Sequence, residues 1–416
     1  MPPRLDPCLV SPLPRPYTPP PMDPRDFRNH RSFPGLEGGP FEIFVTASEG
    51  LERLPWPIFA AILGALAIVP ALGDLRRAAA LAAFFLGDWL LMTLLPRLRI
   101  SFGPARGPAL ALALLRLPAA FLPSIPGLLA QAAGTGLVVY GFYIEPTRLV
   151  VTRQRLRTRK WKAGPDLRLA HFGDLHMERV TGRDRRLAEA IRTAAPDIIL
   201  ISGDFLSYSN VNDPEAWDAT RQVLAGLDAP LGVFAVSGSP PVDTQQALSA
   251  IFEGTRVRWL RDERVSLRHG SNDFDVLGIS CSHKPFIDGP KLRALLPAPA
   301  ERLTILLYHS PDLAPEAAAL GIDLQLSGHT HGGQVRLPFF GALYASSLYG
   351  KRFEVGLRRI GGLTLYVTRG LGMEGNGAPR VRFLSRPELT LWEISSEQAP
   401  GLRALAAQPE GLVHGP

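Results

Sequence analysis

The chain has 416 residues, a formal net charge of +7, 40 glycines, 40 prolines and two cysteines. That length leaves room for more than one domain, and two cysteines as far apart as Cys8 and Cys281 exclude a disulfide framework. The basic excess is not interleaved with aromatic residues, so no nucleic-acid partner is expected.

Residues 1–40 hold twelve prolines and no long apolar run. We read 1–54 as an extended or disordered tail, and not as a cleavable signal peptide, which needs an apolar stretch directly after its basic start. Residues 55–143 are mostly Ala, Leu, Phe, Val and Gly. Pro55–Leu72 and Ala78–Leu95 each approach the ~20 residues that span a bilayer, and Ser124–Tyr143 is a third such run. Pro108–Leu122 is shorter and carries Arg116; it reads as a fourth span or as a half-buried hairpin arm. A buried soluble core would be the alternative, but so long a stretch with so few charges argues against it.

Orientation follows from the basic residues. Arg25, Arg28 and Arg31 precede the first span, and Arg97, Arg99 and Arg106 follow the second. Seven basic residues and no acid lie between Arg148 and Lys162. Four spans put all three clusters on one side, the cytoplasmic one. The expectation is therefore a multi-pass cell-membrane protein with a cytoplasmic catalytic domain over 144–395 and a frayed tail over 396–416. Basic residues beside the last span suit anionic headgroups, at about 1 kcal/mol each.

Beyond the spans, apolar β-type runs alternate with Ala/Leu-rich helical stretches. Strands are predicted at Leu167–Phe172, Ile198–Ile201, Gly232–Val236, Leu303–Tyr308 and Ile322–Leu326. Helices are predicted at Arg183–Ala194, Pro214–Leu227, Thr244–Phe252 and Lys291–Leu296. Such alternation gives an α/β layer architecture.

Acids and imidazoles recur where these strands end. Asp174 and His176 follow the first, and i and i+2 in extended chain point to one side, so both can share an ion. Asp204 follows the second within Ser202-Gly203-Asp204. His309 ends the fourth and is followed by Ser310-Pro311-Asp312. His329 and His331 follow the fifth within Gly328-His329-Thr330-His331-Gly332-Gly333-Gln334, where glycines permit a tight turn. Neutral imidazole is the commonest metal ligand. Any one motif alone reads as loop or cap residues, but together they gather at strand carboxyl ends, where open α/β sheets place their sites.

This constellation resembles the calcineurin-like metallophosphoesterases, over roughly residues 140–395. It is most similar to the membrane-anchored bacterial branch that includes UDP-2,3-diacylglucosamine pyrophosphatases. Further matches are Ile144-Glu145-Pro146, Leu149-Val150-Val151-Thr152, Leu337-Pro338-Phe339, Tyr366-Val367-Thr368-Arg369-Gly370-Leu371-Gly372 and Arg382-Phe383 with Arg386-Pro387-Glu388. The resemblance implies a four-layer αββα sandwich of two mixed sheets, preceded here by the transmembrane helices. It assigns Asp174, His176, Asp204 and His331 to one metal ion, and Asp204, His309 and His329 to a second. Asp204, His309 and His329 are the implied catalytic set. Two divalent transition-metal ions, Mn, Fe or Zn, would clamp the attacking and leaving oxygens of an in-line displacement and acidify a water. The implied activity is metal-dependent hydrolysis of a phosphoester or pyrophosphate, on a phosphorylated lipid, a small molecule or a nucleotide-linked substrate. The alternative is a degenerate member that binds metal and phosphate as a scaffold or sensor. The sequence sets no oligomeric state.

The family's third motif, Gly-Asn-His-Asp/Glu, is replaced here by Gly238-Ser239-Pro240-Pro241. A hydroxyl is a poorer neutral ligand than an amide oxygen, and proline has no proton to give. Either the second site is weak or another group has taken over. Asp243 is a candidate ligand and His283 a candidate acid, but the preferred roles are a helix cap for Asp243 and a loop position for His283. Arg380, Arg382 and Arg386, near the Gly370–Gly377 loop, are either phosphate forks or solvated loop arginines.

Overall fold

The computed structural model describes residue 48 and residues 50–296, 301–373 and 379–397. The proline-rich segment before residue 48 and the tail after residue 397 lie outside them.

Four apolar helices come first: α1 (Trp56–Ile68), α2 (Leu75–Leu94), α3 (Arg106–Ala120) and α4 (Ser124–Val139), which runs on through a π turn at Tyr140–Ile144. Asp74 caps α2 by accepting from the Arg76 and Arg77 amides. Phe59, Leu63, Phe85, Met92 and Ala113 pack inside the bundle. Trp56, Leu75, Leu115, Ile125 and Leu129 are exposed on its outside. Helices apolar on every face need an apolar medium or more protein around them. Leu75–Leu94 and Ile125–Thr147 are long and apolar enough to cross a membrane, whereas Trp56–Ala71 is shorter. Arg116 turns inward to an ion pair with Asp88 at 2.7 Å and a hydrogen bond to Thr135 at 3.1 Å.

Next comes β1 (Val150–Thr158), which explains the basic cluster. Arg153, Arg155 and Arg157 alternate onto its exposed face while Leu156 points inward. Three of the seven basic residues thus form one side of an edge strand, where charge deters unwanted pairing. The remaining strands are β2 (Leu167–Phe172), β3 (Ile198–Ile201), β4 (Val233–Ala235), β5 (Val257–Trp259), β6 (Glu263–His269), β7 (Asn272–Gly278), β8 (Leu303–Leu307), β9 (Leu324–Ser327), a short hairpin of β10 (Arg336–Leu337) and β11 (Gly341–Ala342), β12 (Gly356–Ile360), β13 (Leu363–Val367) and β14 (Glu388–Ser396). One six-stranded sheet has the order β1-β14-β2-β3-β4-β5, and the other β12-β13-β9-β8-β7-β6.

The two sheets face each other across one core. Period-two alternation divides the strands between layers: Ile198 and Leu200 of β3 enter the inter-sheet core, while Ile199 and Ile201 meet the outer helices. Those helices are α5 (Gly182–Ala194), α6 (Pro214–Ala225) and α7 (Gln245–Phe252) on the first sheet; α8 (Pro285–Leu295) and α9 (Ala314–Ala319) cover the second. The result is the expected αββα sandwich. Helix α8 begins six residues before the predicted Lys291, because Pro285 occupies a first-turn position, where proline lacks only a hydrogen bond that no residue there can make.

Candidate metal centre

Strands β2, β3 and β4 run parallel, as do β7, β8 and β9, so their carboxyl ends collect at one rim of the sandwich. All six expected ligand positions meet there, and all but His329 are buried. Asp174, His176, Asp204, His329 and His331 have φ between 41° and 71°. Aspartate and histidine tolerate this left-handed region better than most residues, and such strain concentrates at functional sites.

Two groups of side chains can be distinguished. In the first, His176 Nε2 and His331 Nε2 stand 3.0 Å apart. Asp204 Oδ2 lies 3.5 Å from the first nitrogen, and Asp174 Oδ1 3.8 Å from the second. In the other group, Asp204 Oδ2 lies 3.3 Å from His309 Nε2, and the His309 and His329 rings are 5.0 Å apart between centroids. Asp204 touches both groups through one oxygen. Its other oxygen accepts from the Ser239 amide at 2.6 Å, and Asp174 accepts from the His329 amide at 2.8 Å.

These spacings fit a cation. Atoms about 2.1 Å from a shared ion lie roughly 3.0–3.4 Å from each other, close to what is found here. Two neutral imidazoles facing through Nε2 can share only one proton, and the buried Asp174 Oδ2 has no hydrogen-bond partner among the described residues. His309 is oriented by its Nδ1 on the Ser202 carbonyl at 2.8 Å, the kind of outer contact that fixes a ligand's tautomer.

The electrostatics show how closely the acids and imidazoles face one another. Burial lowers the His309 imidazole, but the Asp204 and Asp174 carboxylates outweigh it and lift it to about 9. Burial raises Asp204, yet His309, His176 and His329 hold it well below the usual carboxylate range. Burial raises Asp174 to about 6. Burial pushes His329 and His331 well below the ordinary imidazole value, which keeps them in the neutral, ligating form.

Other sequence readings change. Asp243 is not the cap of α7; Thr244 is, accepting from the Ala247 amide. Asp243 instead accepts the amides of Asp204, Phe205 and Gly238 at 2.8, 2.9 and 2.7 Å. It thereby ties the Ser202-Gly203-Asp204 loop to Gly238-Ser239. Gly203 (φ 93°) and Gly238 must both be glycine, because a Cβ on either would collide with the facing loop. Asp312 is structural, accepting from Ser347 and Leu348. Arg382 is neither a fork nor solvated: it is buried, and its guanidinium donates to the carbonyls of Gly372, Ser385 and Arg369. Arg380 is buried on Glu178 at 3.0 Å, and Arg386 is half-buried. His283 does lie in a loop. It is buried beside His329 and His309. No local signal marks it, since its neighbours Ser280-Cys281-Ser282 read as a turn.

Residues 167–333 match the calcineurin-like phosphoesterase family. The chain is 31% identical over 288 residues to the uncharacterized metallophosphoesterase YkuE of Bacillus subtilis, covering 66% of this chain and 96% of that relative. It is 28% identical over 286 residues to the phosphodiesterase YaeI of Escherichia coli, covering 66% of this chain and 97% of YaeI. It is 26% identical over 313 residues to the UDP-2,3-diacylglucosamine pyrophosphatase LpxG of Chlamydia trachomatis, covering 61% and 91%. The chain belongs to the calcineurin-like metallophosphoesterase family. It is a phosphoester hydrolase of the class that uses a dinuclear divalent metal site, with His/Asp groups of the matching kind at its strand ends.

Proposed function

We propose that this protein works at the membrane surface, from the cytoplasmic side, and hydrolyses the phosphoester or pyrophosphate of a lipid or lipid-linked nucleotide. The observation that carries this is the cleft beside His176. One of its walls is Ile100, Ser101 and Phe102, from the segment joining α2 to α3, and another is Glu178, Arg179 and Arg380. The Phe102 amide donates to Glu178 at 3.1 Å, which fixes the helical bundle to the rim. The cleft is narrow, with a cavity volume of about 20 Å³, far below the ~300–1,000 Å³ of most whole-ligand pockets, so it admits only a few polar atoms of a substrate whose remainder lies elsewhere. The β10–β11 hairpin supports the same placement. Its Phe339 is fully exposed, and it joins through the Val335–Phe383 bridge to a ring contact with Tyr140 at 5.5 Å, at the end of α4.

Asp174, His176, Asp204 and His331 hold one ion in this reading; Asp204, His309 and His329 hold the other, with Mn, Fe and Zn all suited to the donors. Such ions supply charge neutralisation to the oxygens of phosphoryl displacement. The protein orients the donors and keeps His329 and His331 neutral, while Arg179 and Arg380 line the cleft in ion pairs with Asp213 and Glu178. The likeness to LpxG favours a glycolipid-precursor pyrophosphate as substrate. The test is turnover by the full chain in detergent with Mn²⁺ and, separately, with Zn²⁺, on bis(p-nitrophenyl) phosphate and on UDP-2,3-diacylglucosamine. Metal-dependent release faster on the lipid-linked substrate is expected. Faster hydrolysis of soluble diesters, or none of either substrate, overturns the proposal.

A further inference from the structure

The group around His309 is one donor short of the other. Asp204, His309 and His329 converge, and the nearby loop offers only the Ser239 hydroxyl and two prolines. A further imidazole fills that side. His283 lies five residues beyond β7, whose carboxyl end opens onto the same rim because β7 runs parallel to β8. Its ring centroid is 4.3 Å from that of His329 and 5.7 Å from that of His309. The candidate ligand nitrogens of His283, His309 and His329 all fall within 4.8 Å of one another.

The Ser239 hydroxyl shows how this imidazole is aimed. Its Oγ lies 3.0 Å from His283 Nε2, 3.4 Å from His309 Nε2 and 3.3 Å from Asp204 Oδ2. Those are hydrogen-bonding distances, and they place the one hydroxyl between His283, His309 and Asp204, so the three side chains face a common point. The other ring nitrogen, Nδ1, faces Cys281 Sγ at 3.7 Å, so Nε2 is the atom directed inward. The loop is held in place from behind. Asp288 accepts from the Ser282 amide and hydroxyl, both at 2.8 Å, and from the Tyr308 hydroxyl at 2.7 Å. Such outer contacts are what hold a ligating imidazole on target. Like five of the other ligand positions, His283 adopts a positive φ, of 59°.

We infer that His283 is a protein ligand of the second metal ion, giving it three imidazoles (His283, His309, His329) and the Asp204 carboxylate. This rests on the two-ion reading above and extends it to one more residue and to metal preference. The first site has two carboxylates and two imidazoles; the second is nitrogen-rich. Three imidazoles favour Zn²⁺ and late first-row ions over Mn²⁺ and Mg²⁺. The two sites therefore differ in selectivity, the second being the one that discriminates against Mn²⁺.

The experiment uses the full chain in detergent, stripped with a chelator and titrated with Zn²⁺ or Co²⁺ alone. Bound metal per chain is counted by elemental analysis, and cobalt spectra report the ligand field. Wild type is expected to bind two ions. His283→Gln is expected to keep one ion and to weaken the second at least ~10-fold, with a changed cobalt spectrum at that site only. Ser239→Asn in the His283→Gln background, which supplies an amide oxygen, should recover part of the loss. A crystal structure of the Zn²⁺-loaded wild type needs no variant, and should place His283 Nε2 about 2.0–2.1 Å from the second ion. Wild type binding no metal would overturn the two-ion reading itself. Two ions bound equally tightly by His283→Gln, or a loaded structure with Nε2 more than ~3 Å from the ion, would overturn the role of His283 and leave that reading standing.

Discussion

Replacing Asp243 with alanine removes the acceptor for three buried amides, those of Asp204, Phe205 and Gly238. Burial and the neighbouring Asp204 carboxylate lift Asp243 to about 7, an indication of how little water reaches it. A buried N–H left without a partner costs about 1–3 kcal/mol, so three set an upper limit near ~9 kcal/mol. Water entering the vacated volume restores part of this, and a loss of about 3–5 kcal/mol is expected, in the upper range for single substitutions. Asparagine should cost less. One carboxamide oxygen can keep the Asp204 and Gly238 amides, which share a single oxygen in the native side chain. Only the Phe205 amide then meets an N–H₂, at about 1–3 kcal/mol. The loops joined by Asp243 also carry Asp204 and Ser239, so metal affinity should fall ~10–100-fold in the alanine variant, as for other outer supports of a metal site. Urea unfolding followed by circular dichroism, with zinc content per chain, measures both effects. An alanine variant within about 1 kcal/mol of wild type and fully metal-loaded would refute the reasoning.

Three other outcomes are expected. Asp204→Ala should reduce bound metal and turnover by more than the ~10–100-fold typical of an outer support, because its Oδ2 touches both His176 and His309; elemental analysis and the diester assay check this. Glu388 accepts from Arg369 and Tyr366 at 2.8 and 2.9 Å; burial raises its carboxyl, but Arg369 and Thr152 hold it below the usual glutamate range. Its contribution is therefore present above the unfolded pKa and lost as pH falls through the folded one, so Glu388→Gln should cost about 2 kcal/mol at pH 7 as a lost charged hydrogen bond, with the gap to wild type closing below about pH 4, read from unfolding curves at each pH. A reporter fused after Lys162 should behave as cytoplasmic, since a dense basic cluster resists translocation; periplasmic reporter activity would overturn that orientation.

By itself the sequence determined the class of site and much of the sandwich. Runs such as Ile198–Ile201 and Leu303–Leu307 are apolar on both faces, as strands buried between layers must be. The candidate ligand residues follow such strands directly, so a local pattern sufficed to single out Asp174, His176, Asp204, His309, His329 and His331 as a group. The apolar helices were legible too, since composition alone marks long runs poor in charge. What tertiary structure decided is everything that depends on which loops meet. Asp243 and Thr244 are adjacent and both can cap a helix; only the approach of the Ser202-Gly203-Asp204 loop gives the amides to Asp243 and leaves the cap to Thr244. Arg382 reads in the sequence as either a phosphate fork or a solvated loop arginine, yet its donors are taken by carbonyls from two separate loops, Arg369–Gly372 and Ser385. His283 reads in the sequence as a candidate acid or a loop residue, and nothing beside it marks it as a ligand. It reaches the second group because β7 lies beside β8 and in parallel with it, which sets its loop at the same rim as His309 and His329, and strand order of that kind arises from long-range packing rather than from any residue's neighbours in the chain.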